Sequence, residues 1–412
     1  MSERSKRGHA ALERAETAGD ELLIGGAPVT RVAERVGRTP FYVYDRGAII
    51  HRISALRAAM PAGVSLHYAV KANPMPALVG HIADHVDGLD VASAGELQVA
   101  LDAGIPPGEI SFAGPGKRDA ELRAAIAAGI TLNAESPAEI ERAATIGAAL
   151  GLRPQIAVRV NPDYELKSSG MKMGGGPRQF GIDAETVPEV LQRIGELDMH
   201  FRGLHIFSGS QNLRAESLIE TQDATFDLAR RLAADAPGPI AMLNIGGGFG
   251  IPYFPGDEPL DLGPVAANLQ QRMAEWHADF PDTEIVLELG RYLVAEAGLY
   301  VCQVIDRKIS RGQVFLVTDG GLHHHLAASG NFGQVLRKNY PVCTARRVHG
   351  GPRETASVVG PLCTPLDLLA DRMDLGHAEP GDLICVLQSG AYGYTASPHL
   401  FLGHPPPAEV LV

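Results

Sequence analysis

Eight short apolar runs separated by helix-like stretches constrain the fold of this chain more than any other feature. The runs are rich in β-branched and aromatic residues, whereas the stretches between them are rich in Ala, Leu, Glu and Arg with helical periodicity. Eight strands alternating with helices over roughly 240 residues are typical of a closed (β/α)8 TIM-like barrel. An open, doubly wound sheet has the same alternation and is the alternative. The predicted strands are 66–70, 89–92, 110–113, 131–134, 156–160, 203–207, 242–245 and 285–288.

The pattern changes after about residue 298, where helical stretches become few. Strand-like segments follow at 299–305, 313–318, 356–359 and 383–387. The sequence therefore predicts a barrel followed by a C-terminal, mainly β domain, which makes the chain an α/β protein.

Composition excludes several classes of partner. The net charge of −12 disfavours a general nucleic-acid or anionic-membrane binder, which needs a basic surface. Apolar runs stay well below the ~20 residues of a spanning helix, and the polar N-terminus lacks a secretion signal. The four cysteines form no CxxC pair and predict no disulfide framework. We expect a cytoplasmic protein without nucleic-acid or membrane partners.

Lys71 comes directly after the first predicted strand, in YAVKAN. The active sites of such barrels lie at the C-terminal ends of the strands, so Lys71 is expected at the mouth of the barrel. Burial there would lower the pKa of the amine, and a neutral amine can form a Schiff base. An ordinary rim lysine is the alternative interpretation of Lys71 in isolation.

Groups at three further strand ends could each bind a different part of one cofactor. The seventh run ends in the glycines 246–250, whose backbone N–H groups can approach a phosphate closely. The eighth run ends at Glu288, a carboxylate suited to a protonated ring nitrogen, and the sixth ends in an aromatic and hydroxyl-rich segment at 203–211. Together with Lys71 for an aldehyde, these groups predict pyridoxal 5′-phosphate (PLP).

Eight sequence blocks occur in an order that matches a known family. They are YAVKAN, LDVASAGE, VRVNP, HIFSGSQ, GGGFG, ELGRYLV, GPLCTPLD and SGAYG. From Thr39 to the C-terminus the chain resembles the fold-type III PLP-dependent decarboxylases, which include the diaminopimelate, ornithine and arginine decarboxylases. The resemblance implies an alanine racemase-like barrel over 45–297. It also implies a β-sandwich built from the N-terminal segment 1–44 and the C-terminal part 298–412.

The resemblance also implies roles for matching residues. Lys71 would form the internal aldimine, and Cys363 would protonate the carbanion left by CO2 from the neighbouring subunit of a homodimer with shared active sites. Glu288 would keep the ring nitrogen protonated. The other residues expected around the cofactor are Asp90, Arg159, His205, Phe207, Ser210, Gly247, Gly248, Gly250, Arg291 and Tyr392.

Two positions depart from the family pattern. The histidine that faces the cofactor ring in well-known members is replaced by Phe207, with His205 two residues earlier. The acidic residue that follows the catalytic cysteine in diamino-acid decarboxylases, where it pairs with the distal ammonium, is replaced by Thr364. A hydroxyl cannot supply that charge pairing. The residues expected near the substrate are Arg337, Tyr340, Thr364 and Asp367.

The segments SGMKMGGGPRQFGID, HIFSGSQNL and CTPLDLLADRM resemble a divergent branch of the family. That branch includes decarboxylases associated with exosortase and exopolysaccharide gene clusters, and relatives that act on glutamyl groups tethered to a carrier protein. The substrate is therefore expected to be a small amino acid or a carrier-tethered aminoacyl group. A long loop over 161–183 carries Lys172 and Arg178, which could meet an acidic substrate portion or lie in solvent. A racemase and a catalytically silent relative are the alternative functions.

Three consecutive histidines, 323–325, invite a metal assignment. On an extended strand, adjacent side chains point to opposite faces. The sequence therefore predicts no metal site.

Overall fold

The computed structural model describes residues 8–164, 171, 172 and 174–412. Contacts divide the chain into two compact units. The barrel unit comprises Arg52–Ile251 and Leu260–Gly290, and the β unit comprises Met1–His51, Pro252–Pro259 and Arg291–Val412. The domain limits after residues 44 and 297 stay predictions.

The N-terminal elements belong to the β unit. They are α1 (Ala10–Glu13), β1 (Thr17–Ala18), β2 (Glu21–Ile24), β3 (Ala27–Pro28), α2 (Val29–Val36) and β4 (Phe41–Tyr44), and α3 (Arg46–Ala59) leads into the barrel unit. Strands β1 to β3 form a small antiparallel sheet. The Asp45 carboxylate accepts a hydrogen bond from the Ala48 N–H at 3.0 Å and so caps the first turn of α3.

The barrel unit contains eight parallel strands that close on themselves. The eight barrel strands are β5 (Val64–Ala69), β6 (Gly88–Val91), β7 (Ile110–Phe112), β8 (Thr131–Ala134), β9 (Gln155–Asn161), β12 (His200–Ile206), β14 (Met242–Gly247) and β15 (Glu284–Leu289). Three two-residue strands accompany them: β10 (Met171–Lys172) pairs antiparallel with β13 (Gly209–Ser210), and β11 (Ile182–Asp183) pairs with β9. The order is β9-β12-β14-β15-β5-β6-β7-β8, and β8 pairs with β9. The closed barrel is confirmed, and the open sheet is wrong.

Helices follow most barrel strands. They are α4 (Pro76–Ala83), α5 (Ala94–Asp102), α6 (Asp119–Ala128), α7 (Pro137–Leu150), α8 (Val187–Glu196), α9 (Ala215–Ala233) and α10 (Leu262–His277). Ser93 and Ser136 cap α5 and α7 by accepting the N–H of the third helical residue. Trp276 in α10 is completely buried, as its place on the apolar face of that helix predicts.

The side chains inside the barrel are divided between an apolar and a polar part. Ala157, Met242 and Val286 form an apolar cluster. Across β6, β7 and β8, Asn133 donates to the Ser111 hydroxyl at 3.0 Å, and Ser111 donates to the Asp90 carboxylate. These three polar residues are at most 5% exposed, so hydrogen bonds between neighbouring strands take the place of the branched aliphatic layers usual in such barrels.

The β unit continues with α11 (Arg291–Val294) and seven strands. The strands are β16 (Gly298–Ser310), β17 (Gln313–Thr318), β18 (Val342–Thr344), β19 (Arg353–Val359), β20 (Leu368–Gly376), β21 (Leu383–Val386) and β22 (Ala408–Leu411). They form a sheet of order β18-β21-β16-β17-β19-β20, in which β4 pairs with both β16 and β22. The predicted mainly β domain is confirmed.

Apolar side chains from both ends of the chain build the core of the β unit. Leu22, Val32 and Phe41 from the N-terminal segment pack with Leu299, Val301, Cys343 and Cys385. Cys302, Cys343 and Cys385 are buried and Cys363 is exposed. Among the described residues, no helix combines the length and apolarity needed to cross a bilayer.

Gly203 supports a close approach of two barrel strands and gives a test of the fold. Its φ is 145°, and an added Cβ would lie 1.8 Å from the Met242 carbonyl oxygen. We expect Gly203→Ala to destabilise the protein by roughly 3 kcal/mol through strain and overpacking, measured as a lower Tm. The matched control is Gly80→Ala in α4, where the added Cβ meets nothing within 4 Å. It should be neutral or stabilising by up to about 1 kcal/mol. Equal Tm values for both variants would contradict the packing described.

Candidate active site

A lysine and a buried glutamate meet at the C-terminal ends of two adjacent barrel strands. Lys71 lies in the 3-10 turn Val70–Ala72 directly after β5, and Glu288 is near the end of β15. The Lys71 Nζ atom is 3.4 Å from Glu288 Oε1. The lysine side chain is 43% exposed and the glutamate 5%. The amine therefore reaches the open mouth while the carboxylate lies beneath it.

The surroundings of Glu288 hold it in the ionised form. Burial raises the pKa of this carboxyl, but Lys71, His205 and Arg159 lower it more strongly, so that its pKa falls well below the ordinary value. His205 Nε2 lies 3.2 Å from Glu288 Oε2. A carboxylate that stays charged in a buried site can stabilise a cationic group brought against it.

The aromatic residue expected on the cofactor ring stands beside this pair. Phe207 follows β12, and its ring centre is 5.5 Å from Lys71 Nζ, a cation–π distance. An added Cβ at Gly246 would lie 2.7 Å from Phe207 Cδ2. Because Gly246 has no side chain, the Phe207 ring can pack directly against the glycine turn.

The glycine turn after β14 lies against the segment that carries Ser210. An added Cβ at Gly248 would lie 2.5 Å from the Gly209 oxygen, and one at Gly250 would lie 2.9 Å from the carbonyl carbon of Gln211. A small pocket here is lined by polar and apolar residues, which are Ser208, Gly209, Asn212, Leu218, Thr221, Ile245, Gly247 and Gly248. Only glycine permits this approach of two backbones. The Gly250 N–H donates to the Asn212 oxygen at 2.8 Å and the Gly246 N–H to Asn244 Oδ1 at 2.8 Å, which holds the turn against this segment.

A second buried ion pair orients Arg159, and the sequence analysis missed its partner. Arg159 in β9 donates to Glu135 Oε1 at 2.7 Å, and the two side chains are 8% and 2% exposed. Glu135 also accepts the Gly181 N–H at 3.1 Å. Burial raises the pKa of Glu135, but Arg159 outweighs it and the net pKa is lowered. The position of Glu135 directly after the fourth predicted strand was the signal available in the sequence.

Asp90 lies inside the barrel. It is 5% exposed and accepts the Ser111 hydroxyl. Its Oδ1 is also 3.3 Å from His67 Nδ1. The expected contact of Asp90 with the cofactor stays a prediction.

Two predicted cofactor residues meet in the β unit. Arg291 begins α11 and donates to the Tyr253 hydroxyl at 3.1 Å. Its guanidinium carbon is 4.6 Å from the centre of the Tyr392 ring. Tyr392 is held at a positive φ of 52°, a conformation that a bulky residue rarely adopts. The two predicted residues are therefore brought together as a stacked pair.

The loop between β19 and β20 presents Cys363 to solvent. Cys363 is exposed, Thr364 is half-buried, and Asp367 is 3% exposed. Both oxygens of Asp367 accept backbone N–H groups, from Leu322 at 2.6 Å and from Leu362 at 2.8 Å. Asp367 thus anchors the residue next to Cys363, which makes it a positioning residue for this loop.

Arg337 and Tyr340 make contacts within the β unit. Arg337 donates to the carbonyl oxygens of Ser329 at 3.0 Å and Leu368 at 2.6 Å. Tyr340 is 6% exposed, and its ring centre is 4.8 Å from that of Tyr253. Their expected roles toward a substrate carboxylate stay predictions.

The three consecutive histidines do not lie on a strand, and that expectation is wrong. Residues 323–325 form a turn after two glycines, and the His323 and His324 rings are 3.7 Å apart. The two rings are tilted by 41°. Burial lowers the pKa of His323 to about 4 and that of His324 to about 3.

The long predicted loop over 161–183 falls partly outside the described residues. Residues 165–170 and 173 and the side chain of Lys172 are among the parts not described. Arg178 is exposed and donates to the Gly175 oxygen at 3.1 Å. A contact of this loop with a substrate stays a prediction.

Comparison with known proteins identifies the family. Residues 46–295 match the pyridoxal binding domain of the pyridoxal-dependent decarboxylases. This chain is a member of that family. It is 39% identical over 391 residues to the L-glutamyl-[BtrI acyl-carrier protein] decarboxylase of Niallia circulans, covering 93% of this chain and 91% of the relative. It is 33% identical to the diaminopimelate decarboxylase of Aquifex aeolicus, with 95% and 90% of the two chains covered.

A solved structure supports the same assignment. The diaminopimelate decarboxylase of Helicobacter pylori, complexed with L-lysine, superposes with a TM-score of 0.81 at 28% identity, covering 93% of this chain and 94% of that one. The decarboxylase described here therefore has the alanine racemase-like fold, is a PLP-dependent carboxy-lyase and acts on an amino acid or amino-acid derivative.

The residues at the barrel mouth fit PLP. The Lys71 amine, whose side chain is 43% exposed, suits the aldehyde of PLP. The buried Glu288 carboxylate, whose pKa is lowered, suits the basic ring nitrogen. The turn at Gly248, where an added Cβ would clash with the Gly209 oxygen, matches a phosphate. The individual residue roles are proposals, because the family assignment does not by itself assign them.

The Arg159–Glu135 pair gives a test of the site's electrostatics. We expect Arg159→Met to lower the stability of the decarboxylase by about 3 kcal/mol, since it leaves a buried carboxylate unpaired. The Tm measured by calorimetry should fall accordingly. Adding Glu135→Gln to this variant removes the unpaired charge and should recover much of the loss. A double variant no more stable than Arg159→Met would show that the two side chains do not interact as described.

Proposed function

We propose that this decarboxylase removes the α-carboxylate of an L-glutamyl-type group that is tethered to a carrier protein. The observation that carries the proposal is Thr364, directly after Cys363, at the position where diamino-acid decarboxylases carry an acid. The 39% identity to a relative named for a carrier-bound L-glutamyl substrate supports it.

Charge at position 364 discriminates between the substrate classes. A substrate with a distal ammonium needs a carboxylate partner, because an ion left unpaired in a closed site loses its hydration. A glutamyl group attached through its side-chain carboxyl has no distal charge, and a hydroxyl there carries no penalty. Attachment through the side chain also leaves the α-amine and the α-carboxylate free, as PLP chemistry requires.

Each residue at the barrel mouth has a defined task in this proposal. The Lys71 amine holds the aldehyde carbon of PLP, and the Glu288 carboxylate stabilises a proton on the ring nitrogen. Phe207 would hold the ring face, while the turn Gly247–Gly250 and Ser210 would hold the phosphate. When bound, PLP supplies the electron sink that accepts the pair left by departing CO2.

Cys363 supplies the proton that replaces CO2 at Cα. Its thiol is exposed on the β unit, and thiols act as general acids when they are held within hydrogen-bond reach of the reacting atom. We place Cys363 at the site of a neighbouring subunit, so that the functional unit is a homodimer with two shared sites. Asp367 positions the Cys363 loop through its hydrogen bond from Leu362.

The substrate class is tested by measuring CO2 release. The panel is carrier-tethered L-glutamate against free diaminopimelate, ornithine, lysine, arginine and glutamate. We expect kcat/KM to be at least about tenfold higher for the tethered substrate, since the free diamino acids leave an ammonium unpaired. Thr364→Glu should raise kcat/KM for diamino acids and lower it for the tethered substrate, with Thr364→Ser as the matched control. Equal or better turnover of diaminopimelate by the wild type would contradict the proposal.

Subunit complementation tests the shared site. Lys71→Ala and Cys363→Ala should each be inactive alone. After unfolding and refolding as an equimolar mixture, heterodimers carry one intact site, and statistical pairing restores about a quarter of wild-type activity. Mixing two samples of the same variant is the control. Recovery no greater than in that control would place both groups in one subunit.

A further inference from the structure

A second cluster of ionisable groups lies at the other end of the barrel strands. Glu109 ends the 3-10 turn that precedes β7, and Glu284 is the first residue of β15. His67 of β5 completes the group. One imidazole nitrogen and one oxygen of each glutamate lie within 4.8 Å of one another. Lys71 and Glu288 lie near the C-terminal ends of β5 and β15, whereas Glu284 begins β15 and Glu109 precedes β7. The two glutamates are therefore at the opposite end of the barrel from the active site, and His67 reaches them from the middle of β5.

His67 presents a buried nitrogen that has no hydrogen-bond partner among the described residues. The residue is 3% exposed, and its Nδ1 is 3.3 Å from Asp90 Oδ1. Its Nε2 is buried without a hydrogen-bond partner, a loss that typically costs about 1–3 kcal/mol. If Nδ1–H donates to Asp90, Nε2 keeps its lone pair for another ligand. Metal-binding histidines show this arrangement, in which a carboxylate fixes the tautomer and orientation of the ring.

The space next to this nitrogen depends on Gly88. An added Cβ at Gly88 would lie 2.5 Å from His67 Nε2 and 2.5 Å from the Glu109 carbonyl oxygen. Any other residue would push the imidazole away from the two glutamates.

The cluster carries an uncompensated negative charge. Within the described part of the chain, the Glu109 and Glu284 side chains have neither an ion-pair nor a hydrogen-bond partner. Both are half-buried, where like charges repel more strongly than in water. Asp90 adds a third carboxylate beside the imidazole, with its Oδ1 3.3 Å from His67 Nδ1. The imidazole therefore lies in a negative potential that favours a cation.

We propose that His67, Glu109 and Glu284 bind a divalent metal ion of the zinc class at the N-terminal mouth of the barrel. One imidazole and two carboxylates, completed by water, form a mixed nitrogen and oxygen set that suits Zn²⁺. Nitrogen and oxygen ligands lie about 2.0–2.2 Å from zinc, which small rotations of the half-buried glutamates achieve. An open pocket whose lining includes Arg57, Asp87, Glu109 and Glu284 provides the entry path. The Arg57 guanidinium in this pocket is paired with Asp87 at 2.9 Å.

The bound ion would tie together strands that are distant in sequence. His67, Glu109 and Glu284 belong to β5, the start of β7 and the start of β15. The N-terminal face of a barrel serves stability rather than catalysis. An ion that binds only the folded state stabilises it by mass action.

Metal binding is tested on the tag-free holoenzyme after dialysis against a chelator. Zn²⁺ is titrated calorimetrically, with Mg²⁺ as a probe that disfavours nitrogen ligands. We expect one equivalent of Zn²⁺ to bind, a higher Tm with Zn²⁺, and much weaker binding of Mg²⁺. The Glu109→Gln/Glu284→Gln variant keeps the shape of both side chains and should lose both the binding of Zn²⁺ and the rise in Tm with Zn²⁺. Glu185→Gln, an exposed carboxylate elsewhere, is the matched control and should retain them.

Crystallography locates the ion independently of the variants. Anomalous scattering at the zinc edge should give a peak bonded to His67 Nε2. Absence of Zn²⁺ binding, binding that persists in the double glutamine variant, or a peak only at other residues would each overturn the proposal. A peak at His67 supports it even if the double variant fails to fold.

Discussion

The contact between the Lys71 amine and the Glu288 carboxylate is the interaction on which the active site depends. Glu288 is buried, and its charge is stabilised by neighbours on three other strand ends: Lys71, His205 and Arg159. This arrangement requires a closed parallel barrel, because only closure brings the ends of β5, β9, β12 and β15 to one mouth. The fold thus supplies a buried anion under an accessible amine, which are the two groups that a pyridine aldehyde needs.

The barrel interior extends this polar character below the active site. Asn133, Ser111, Asp90 and His67 connect four adjacent strands through hydrogen bonds or close polar contacts, while the opposite side holds Ala157, Met242 and Val286. Hydrogen-bonded networks of this kind hold strands in a single register only if each polar atom has a partner. Among the described residues, Asp90 Oδ2, Asn133 Oδ1 and His67 Nε2 of this network are buried without a hydrogen-bond partner. A metal ion bound by Glu109 and Glu284 would satisfy the His67 nitrogen.

Periodicity predicted the barrel well because the hydrophobic pattern of each strand and helix lies within its own short segment of sequence. The predicted strand 203–207 compares with β12 at His200–Ile206, and the predicted strand 285–288 with β15 at Glu284–Leu289. The glycine turn and the lysine were recognisable because they directly follow apolar runs. Residues that are distant in sequence and come into contact only in the folded chain could not be recognised as partners from the sequence. Glu135 and Arg159 meet between the neighbouring strands β8 and β9. His67 and Glu284 meet although more than half of the chain separates them in sequence. The histidine turn at 323–325 was mistaken for a strand because the effect of the preceding glycines on chain direction is not visible in a periodic pattern.

The most direct test of this account is a crystal structure of the decarboxylase grown with excess PLP. We predict continuous electron density from Lys71 Nζ to the cofactor, with the Glu288 carboxylate within hydrogen-bond distance of the ring nitrogen. A lysine amine directed away from the cofactor, or a ring nitrogen that faces another residue with Glu288 remote from it, would contradict the central claim.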